Sequence, residues 1–148
     1  MQNDREIVIN AITSDPSALA FASEELKADK AIVWLATSKD GRILRYASAS
    51  LRDDIYVVFD AVSTTPSAYS CASYRLLANP DIAFAAVRYN IKDLTLVPRE
   101  LRSNVKFASR VINECNYDGP IFSKSVRKKV MAHNVRERRR ANRLHQIG

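Results

Sequence analysis

The chain has 148 residues, 47% of them hydrophobic, which is enough for one domain with a real core and too short for two comfortable ones. Three Gly and five Pro supply too few tight turns for a sandwich or a barrel, so the composition points to an all-α fold. The net charge of +7 is uneven: from Lys124 onward nine basic residues face one acid, Glu137, for +8, while the first 123 residues hold 14 basic and 15 acidic side chains, for −1.

The longest purely apolar runs are a few residues, far short of the roughly 20 that a membrane span needs. The first fifteen residues carry Asp4, Glu6 and Asp15 without an apolar block behind a basic start, which argues against a secretory signal. The expected location is intracellular, cytoplasmic or nuclear, with no membrane association. Cys71 and Cys115 have no CxxC spacing, so neither a disulfide nor a zinc site is supported.

Setting Asp4, Asp29, Asp54, Asn79 and Asn104 in one column divides the chain into five units at a constant spacing of 25, without gaps. The first unit opens with Ile7-Val8 and Ala11-Ile12, and offsets of i, i+1, i+4 and i+5 share one face of a helix. A helix of about three turns follows from that spacing, with Asp4 as its N-cap and Asp15-Pro16 as its stop. Leu19, Phe21 and Ala22 then predict a short helix over 17–22, and Ser23 caps a further turn that carries Leu26 into the next Asp. The later units repeat this order: Ile32-Val33, Val57-Val58, Ile82-Ala83 and Phe107-Ala108 open them, and Leu51, Leu76 and Leu101 hold the place of Leu26. Ser48, Ser73, Pro98 and Ser123 follow Ser23, with Ser expected as a cap and Pro in the first turn. In the fifth unit the pattern fades to Ile121, Phe122 and Val126 after an interruption at 116–120.

A unit of this size cannot close a core alone, whereas units stacked roughly 8 to 10 Å apart can share one. The expected architecture is a short α-solenoid of five 25-residue helical repeats over 4–128, followed by a basic C-terminal helix or tail over 129–148. The pattern of Asp4-Arg5-Glu6-Ile7-Val8 with Phe21-Ala22-Ser23-Glu24-Glu25-Leu26, and of Asp29-Lys30-Ala31-Ile32-Val33 with Tyr46-Ala47-Ser48, resembles the helical-repeat family called domain of unknown function 4116. The resemblance is good from 4 to about 101 and weak from 104 to 128. It implies a helical repeat frequent in protists, large DNA viruses and some intracellular bacteria, and it implies no activity, because the family has no catalytic motif to carry over.

No catalytic residue, metal ligand or cofactor site is expected. The two histidines, His133 and His145, both lie in the basic tail, and no glycine motif for phosphate binding is present. The recurring acids read as caps, since Asn79 and Asn104 share their column and acid–base chemistry would not accept Asn. Cys71, in the column of Phe21, Tyr46, Leu96 and Ile121, reads as a small packing hydrophobe, and Cys115 as a more exposed residue.

Three surfaces remain. Ile9, Trp34, Phe59 and Phe84 align just beside the core stripe, either as a partner-binding strip or as flanks packed between neighbouring helices. Lys27, Arg52, Arg102 and Arg127 form a basic ladder, interrupted by Leu77, that complements helix dipoles or tracks phosphates. In the tail, Val126, Val130 and Met131 make a narrow apolar face to cover the last unit. Lys128, Lys129, Arg136, Arg138, Arg139, Arg140 and Arg143 form a cationic stretch for RNA, DNA or an acidic protein surface, with a nuclear address or a plain solvated tail as further readings. The expected function is that of a non-catalytic structural or adaptor protein making protein contacts in a larger assembly, for which the resemblance suggests a minor component of a large-virus particle. The alternative is a sequence-nonspecific nucleic-acid-binding accessory protein acting through the tail.

Overall fold

Short polar side chains set the boundaries of the elements. In the computed structural model, which describes residues 5–117 and 119–145, every regular element is helical. The α-helices are α1 Arg5–Ser14, α2 Glu24–Lys27, α3 Lys30–Thr37, α4 Ala49–Arg52, α5 Ile55–Thr64, α6 Tyr74–Leu77, α7 Pro80–Tyr89, α8 Arg99–Arg102, α9 Val105–Glu114 and α10 Lys124–His145. Between each odd-numbered helix up to α7 and the one-turn helix after it lies a 3-10 segment: Pro16–Phe21, Gly41–Tyr46, Pro66–Cys71 and Ile91–Thr95.

Asp29 caps α3 by accepting from the amides of Ala31 at 2.9 Å and Ile32 at 3.1 Å. Asp54, Asn79 and Asn104 cap α5, α7 and α9 in the same way. The corresponding expectation for Asp4 lies outside the described residues. The hydroxyls of Ser23, Ser48, Ser73 and Ser123 each accept the amide three residues on. Pro98 differs from expectation by standing at the cap itself, with no side-chain bond to offer. Asp15, expected as a helix stop, also caps the 3-10 segment that follows it, and Asp40 and Asn90 do the same in their units.

The segment expected as a short helix over 17–22 is a 3-10 turn, and this reverses one packing assignment. With three residues per turn, positions i and i+3 eclipse. Leu19 and Ala22 therefore both face the core, and Phe21 is turned outward and is 76% exposed. Tyr46 and Leu96 are exposed on the same column, whereas Cys71 and Ile121 are partly buried and pack against the core, so the column is divided between surface and core edge. The fully enclosed column is Leu19, Leu44, Tyr69 and Leu94.

α1 packs on α3, α3 on α5, α5 on α7, α7 on α9 and α9 on α10. Ile32, Val57, Ile82 and Phe107 are buried in these contacts together with Val33, Val58, Ala83 and Ala108, as their spacing predicts. Between units the backbone adds ties: Ser48 N–H donates to the Lys27 carbonyl at 2.9 Å, and Ser73 N–H to that of Arg52 at 2.8 Å. The next donor in this register would be Pro98, which has no N–H. Its acceptor, the Leu77 carbonyl, is met instead by the buried Tyr69 hydroxyl at 2.5 Å, and burial, followed by the Asp93 charge, pushes the Tyr69 phenol up.

Charges follow the same logic. Arg5 pairs with the cap Asp29, and Lys30 with the cap Asp54 at 2.7 Å. In the next two units the basic residue is replaced by Ile55 and Pro80, and the facing caps are the uncharged Asn79 and Asn104. Gly41 lies so close to α5 that a Cβ there would meet the Ala61 carbonyl oxygen at 2.1 Å, and its N–H donates to the Thr65 hydroxyl at 3.0 Å. The Thr65 hydroxyl is thus directed at the neighbouring unit and, unlike the Asp15 and Asp40 carboxylates, does not cap its own 3-10 segment.

At the far end Val126 and Val130, one helical turn apart, are buried against the body with Phe122. Met131, expected beside them, lies about 100° further round the helix and is 72% exposed, a correction to the sequence reading. α10 runs unbroken through 128–129. A cluster of amides and a hydroxyl fixes its register: Ser109 donates to Asn134 at 2.7 Å, Asn113 to Ser109 at 3.2 Å, and Asn134 to Asn113 at 3.1 Å. Among the described residues no helix is long and apolar enough to cross a membrane.

Candidate interaction surface

The aromatic column beside the core splits in two. Trp34 on α3 and Phe59 on α5 are 53% and 44% exposed, and Ile9 on α1 is half-buried. Phe84 on α7 is 3% exposed, so it does not belong to an exposed strip. Its cover is Arg110 from α9, whose guanidinium sits 3.7 Å from the ring centroid and is anchored by Asp81 at 3.0 Å and Glu114 at 3.3 Å. Phe84 thus takes the packing role and Trp34 and Phe59 the surface role.

The exposed rings line two furrows. One, between α3 and α5, has a volume of about 450 Å³ and is lined by Lys30, Trp34, Tyr56 and Asp60 among others. The second, between α5 and α7, has about 650 Å³ and includes Tyr56, Phe59, Asp60, Arg88 and Tyr89. Tyr56 and Asp60 belong to both, so the furrows form one continuous face. Lys30 holds its ammonium 5.6 Å from the Tyr56 centroid and shares it with Asp54, whose carboxyl that bond keeps below the usual carboxylate range. Rings, cations and the exposed Asp60 give this face groups that can stack and form hydrogen bonds.

Tyr56 and Tyr89 carry no periodic signal in the sequence. Their columns hold Glu6, Ala31, Tyr56, Asp81 and Lys106, and Ser14, Lys39, Thr64, Tyr89 and Glu114, so nothing recurs in them. The usable signal was local, since Tyr56 and Phe59 stand three apart on one helix.

The basic ladder does not form an open stripe. Lys27 is paired with Glu24 at 2.9 Å, and Arg52 and Arg102 are half-buried with their Nε atoms enclosed. The cationic stretch of α10 is open: Lys128, Lys129, Arg136, Arg138, Arg139, Arg140 and Arg143 are all exposed, and from Val135 to Leu144 every side chain faces solvent. No α10 residue lines either furrow, so the structure does not bring the aromatic face and the cationic stretch together.

Among the described residues no group of three or more His, Cys, Asp and Glu is placed to hold a metal ion. The Cys71 thiol lies 3.9 Å from the Arg42 carbonyl, and burial, then the Glu114 charge, pushes the half-buried Cys115 thiol up. His133 is half-buried on α10. No curated protein and no solved structure matches the chain. A family model does, over residues 4–52 and 54–115, the stretch that holds the caps of α3, α5, α7 and α9 and both furrows but stops short of α10. On that match the chain belongs to the family described as Domain of unknown function (DUF4116).

Proposed function

We propose that the chain is a non-catalytic adaptor: a short α-solenoid whose stacked units offer one aromatic face to a protein partner and whose α10 serves as a basic anchoring arm within a larger assembly. The observation that carries it is the cluster of Trp34, Tyr56, Phe59 and Tyr89, exposed along two adjoining furrows. Exposed aromatic rings gathered in one place cost solubility and supply the anchors that dominate interface energies. The solenoid reading draws on the 25-residue recurrence, on the contact of each longer helix with the next, and on Arg5–Asp29 and Lys30–Asp54 as repeated links. A structural place in a large-virus particle is one setting for such a role.

A second reading, sequence-nonspecific attachment to nucleic acid, is favoured by the exposed arginines of α10. Affinity capture separates the two, with the wild-type chain, a Trp34→Ala/Tyr56→Ala/Tyr89→Ala variant, and a variant with Arg136, Arg138, Arg139, Arg140 and Arg143 changed to Gln. Each is run with and without nuclease, at low and high salt. The adaptor reading expects a discrete protein retained after nuclease treatment and lost with the aromatic variant. Recovery of nucleic acid alone, lost with the arginine variant, would replace it with the second reading.

A further inference from the structure

We propose that the outer face of α10 carrying Lys124, Lys128, Met131, Val135 and Arg138 docks an acidic amphipathic helix of another protein; this deepens the adaptor reading and rests on it. The residues stand at i, i+4, i+7, i+11 and i+14, which places them on one helical stripe. Val126 and Val130, the other apolar residues of this part of α10, are used against the body, whereas Met131 is 72% and Val135 48% exposed. Beside Met131 a furrow of about 370 Å³ opens between α9 and α10. It is lined by the apolar Ile112, Val130 and Met131 and by Lys124, Arg127, Lys128 and Asn134, with no acidic residue in the lining.

The charge identifies the occupant. A second copy would set one +8 stretch against another, so pairing of α10 with α10 is opposed by repulsion. Nucleic acid would neutralise the cations, but single strands favour aromatic platforms for their bases, and α10 contains no Phe, Tyr or Trp. An acidic helix with apolar residues at i and i+4 satisfies both features: its side chains cover Met131 and Val135 while its carboxylates meet Lys124, Lys128 and Arg138. This is helix-in-groove recognition, and methionine, being unbranched, adapts to the incoming side chains.

The test uses the full chain and a fluorescent Glu-rich peptide of about 16 residues, long enough for about four turns, with leucines at i, i+4, i+7 and i+11. Anisotropy should show saturable binding. Met131→Glu/Val135→Glu should weaken it by about tenfold or more, and Lys124→Gln/Lys128→Gln should weaken it and flatten its salt dependence. A peptide of equal composition with its leucines spread around the helix should bind about tenfold more weakly. Because all four positions are exposed, circular dichroism should show each variant folded. Equal binding of the two peptides, or insensitivity to Met131→Glu/Val135→Glu, would overturn the proposal, as would a single-stranded oligonucleotide of equal charge binding more tightly than the patterned peptide. Trp34→Ala/Tyr56→Ala should leave peptide binding intact. If the peptide fails while protein capture through Trp34 and Tyr56 survives, the α10 site falls and the adaptor reading stands; if both fail, the adaptor reading falls too.

Discussion

Trp34 and Phe84 occupy equivalent positions in their units, but Arg110 covers Phe84, whereas the position equivalent to Arg110 beside Trp34 holds Asp60 and leaves the ring exposed. Phe84→Ala should cost about 3–5 kcal/mol, as for a buried aromatic, and Trp34→Ala no more than about 0.5 kcal/mol, as for a surface change. Thermal unfolding of the two variants checks this; equal losses would mean that Trp34 is part of the core. Tyr69 and Pro98 are coupled through the Leu77 carbonyl. Tyr69→Phe leaves the Leu77 carbonyl without its donor and should cost about 1–3 kcal/mol. Pro98→Ser restores an N–H where Ser48 and Ser73 use theirs, so it should recover part of that loss in the double variant, giving a measurable coupling in a double-mutant cycle. At this scale the sequence was partly legible. Caps depend on one side chain and amides two or three residues away, so Asp29, Asp54 and Ser23 could be read directly. The cover over Phe84 depends on Arg110, which meets it only in three dimensions, and no local pattern announces it.

Across the first three units the elements are tied by the pairing of a first-turn cation with the next unit's Asp cap, Arg5 with Asp29 and Lys30 with Asp54. Lys30 holds the Asp54 carboxyl below its ordinary value, so the stabilisation is present above the unfolded carboxylate pKa, about 3.9, and is lost as pH falls through the folded value. Asp54→Asn keeps the cap and removes only the ion pair. It should lower stability by about 0.2–1 kcal/mol at neutral pH, given the exposure of Lys30, and match the wild type in acid once the carboxyl is protonated. Melting temperatures from pH 7 to pH 2 measure the difference; one that persists at the acid end would assign the effect to the cap. Element type was legible wherever a 3.6-residue period ran for two turns or more. It was not legible in Pro16–Phe21 and its counterparts, because Leu19 and Ala22 suit the inner face of either kind of helix and only Phe21 distinguishes them by pointing outward.

For the whole molecule, α10 has two parts with different duties. Its first three turns close the core through Val126 and Val130 and are pinned at Asn134, and the turns beyond are open to solvent. A chain ending at Asn134 should therefore unfold within about 0.5 kcal/mol of the full chain. One ending at Lys124 should be far less stable, because it loses two buried valines at about 1.5–3 kcal/mol each and uncovers α9. Chemical denaturation distinguishes these, and comparable losses in both would mean that the arginine-rich turns support the fold. The candidate site was less legible than the fold for a related reason: a periodic reading keeps what every unit shares, and Tyr56 and Tyr89 are what single units add. Whether the Trp34–Tyr56 face holds another protein, as proposed, is measured by placing a photo-crosslinking amino acid at Trp34, with Lys39 as an exposed control, in the cells that make the protein. Position 34 should give one discrete, nuclease-resistant protein adduct and position 39 none. Adducts to nucleic acid, or no more adduct at 34 than at 39, would contradict the proposal.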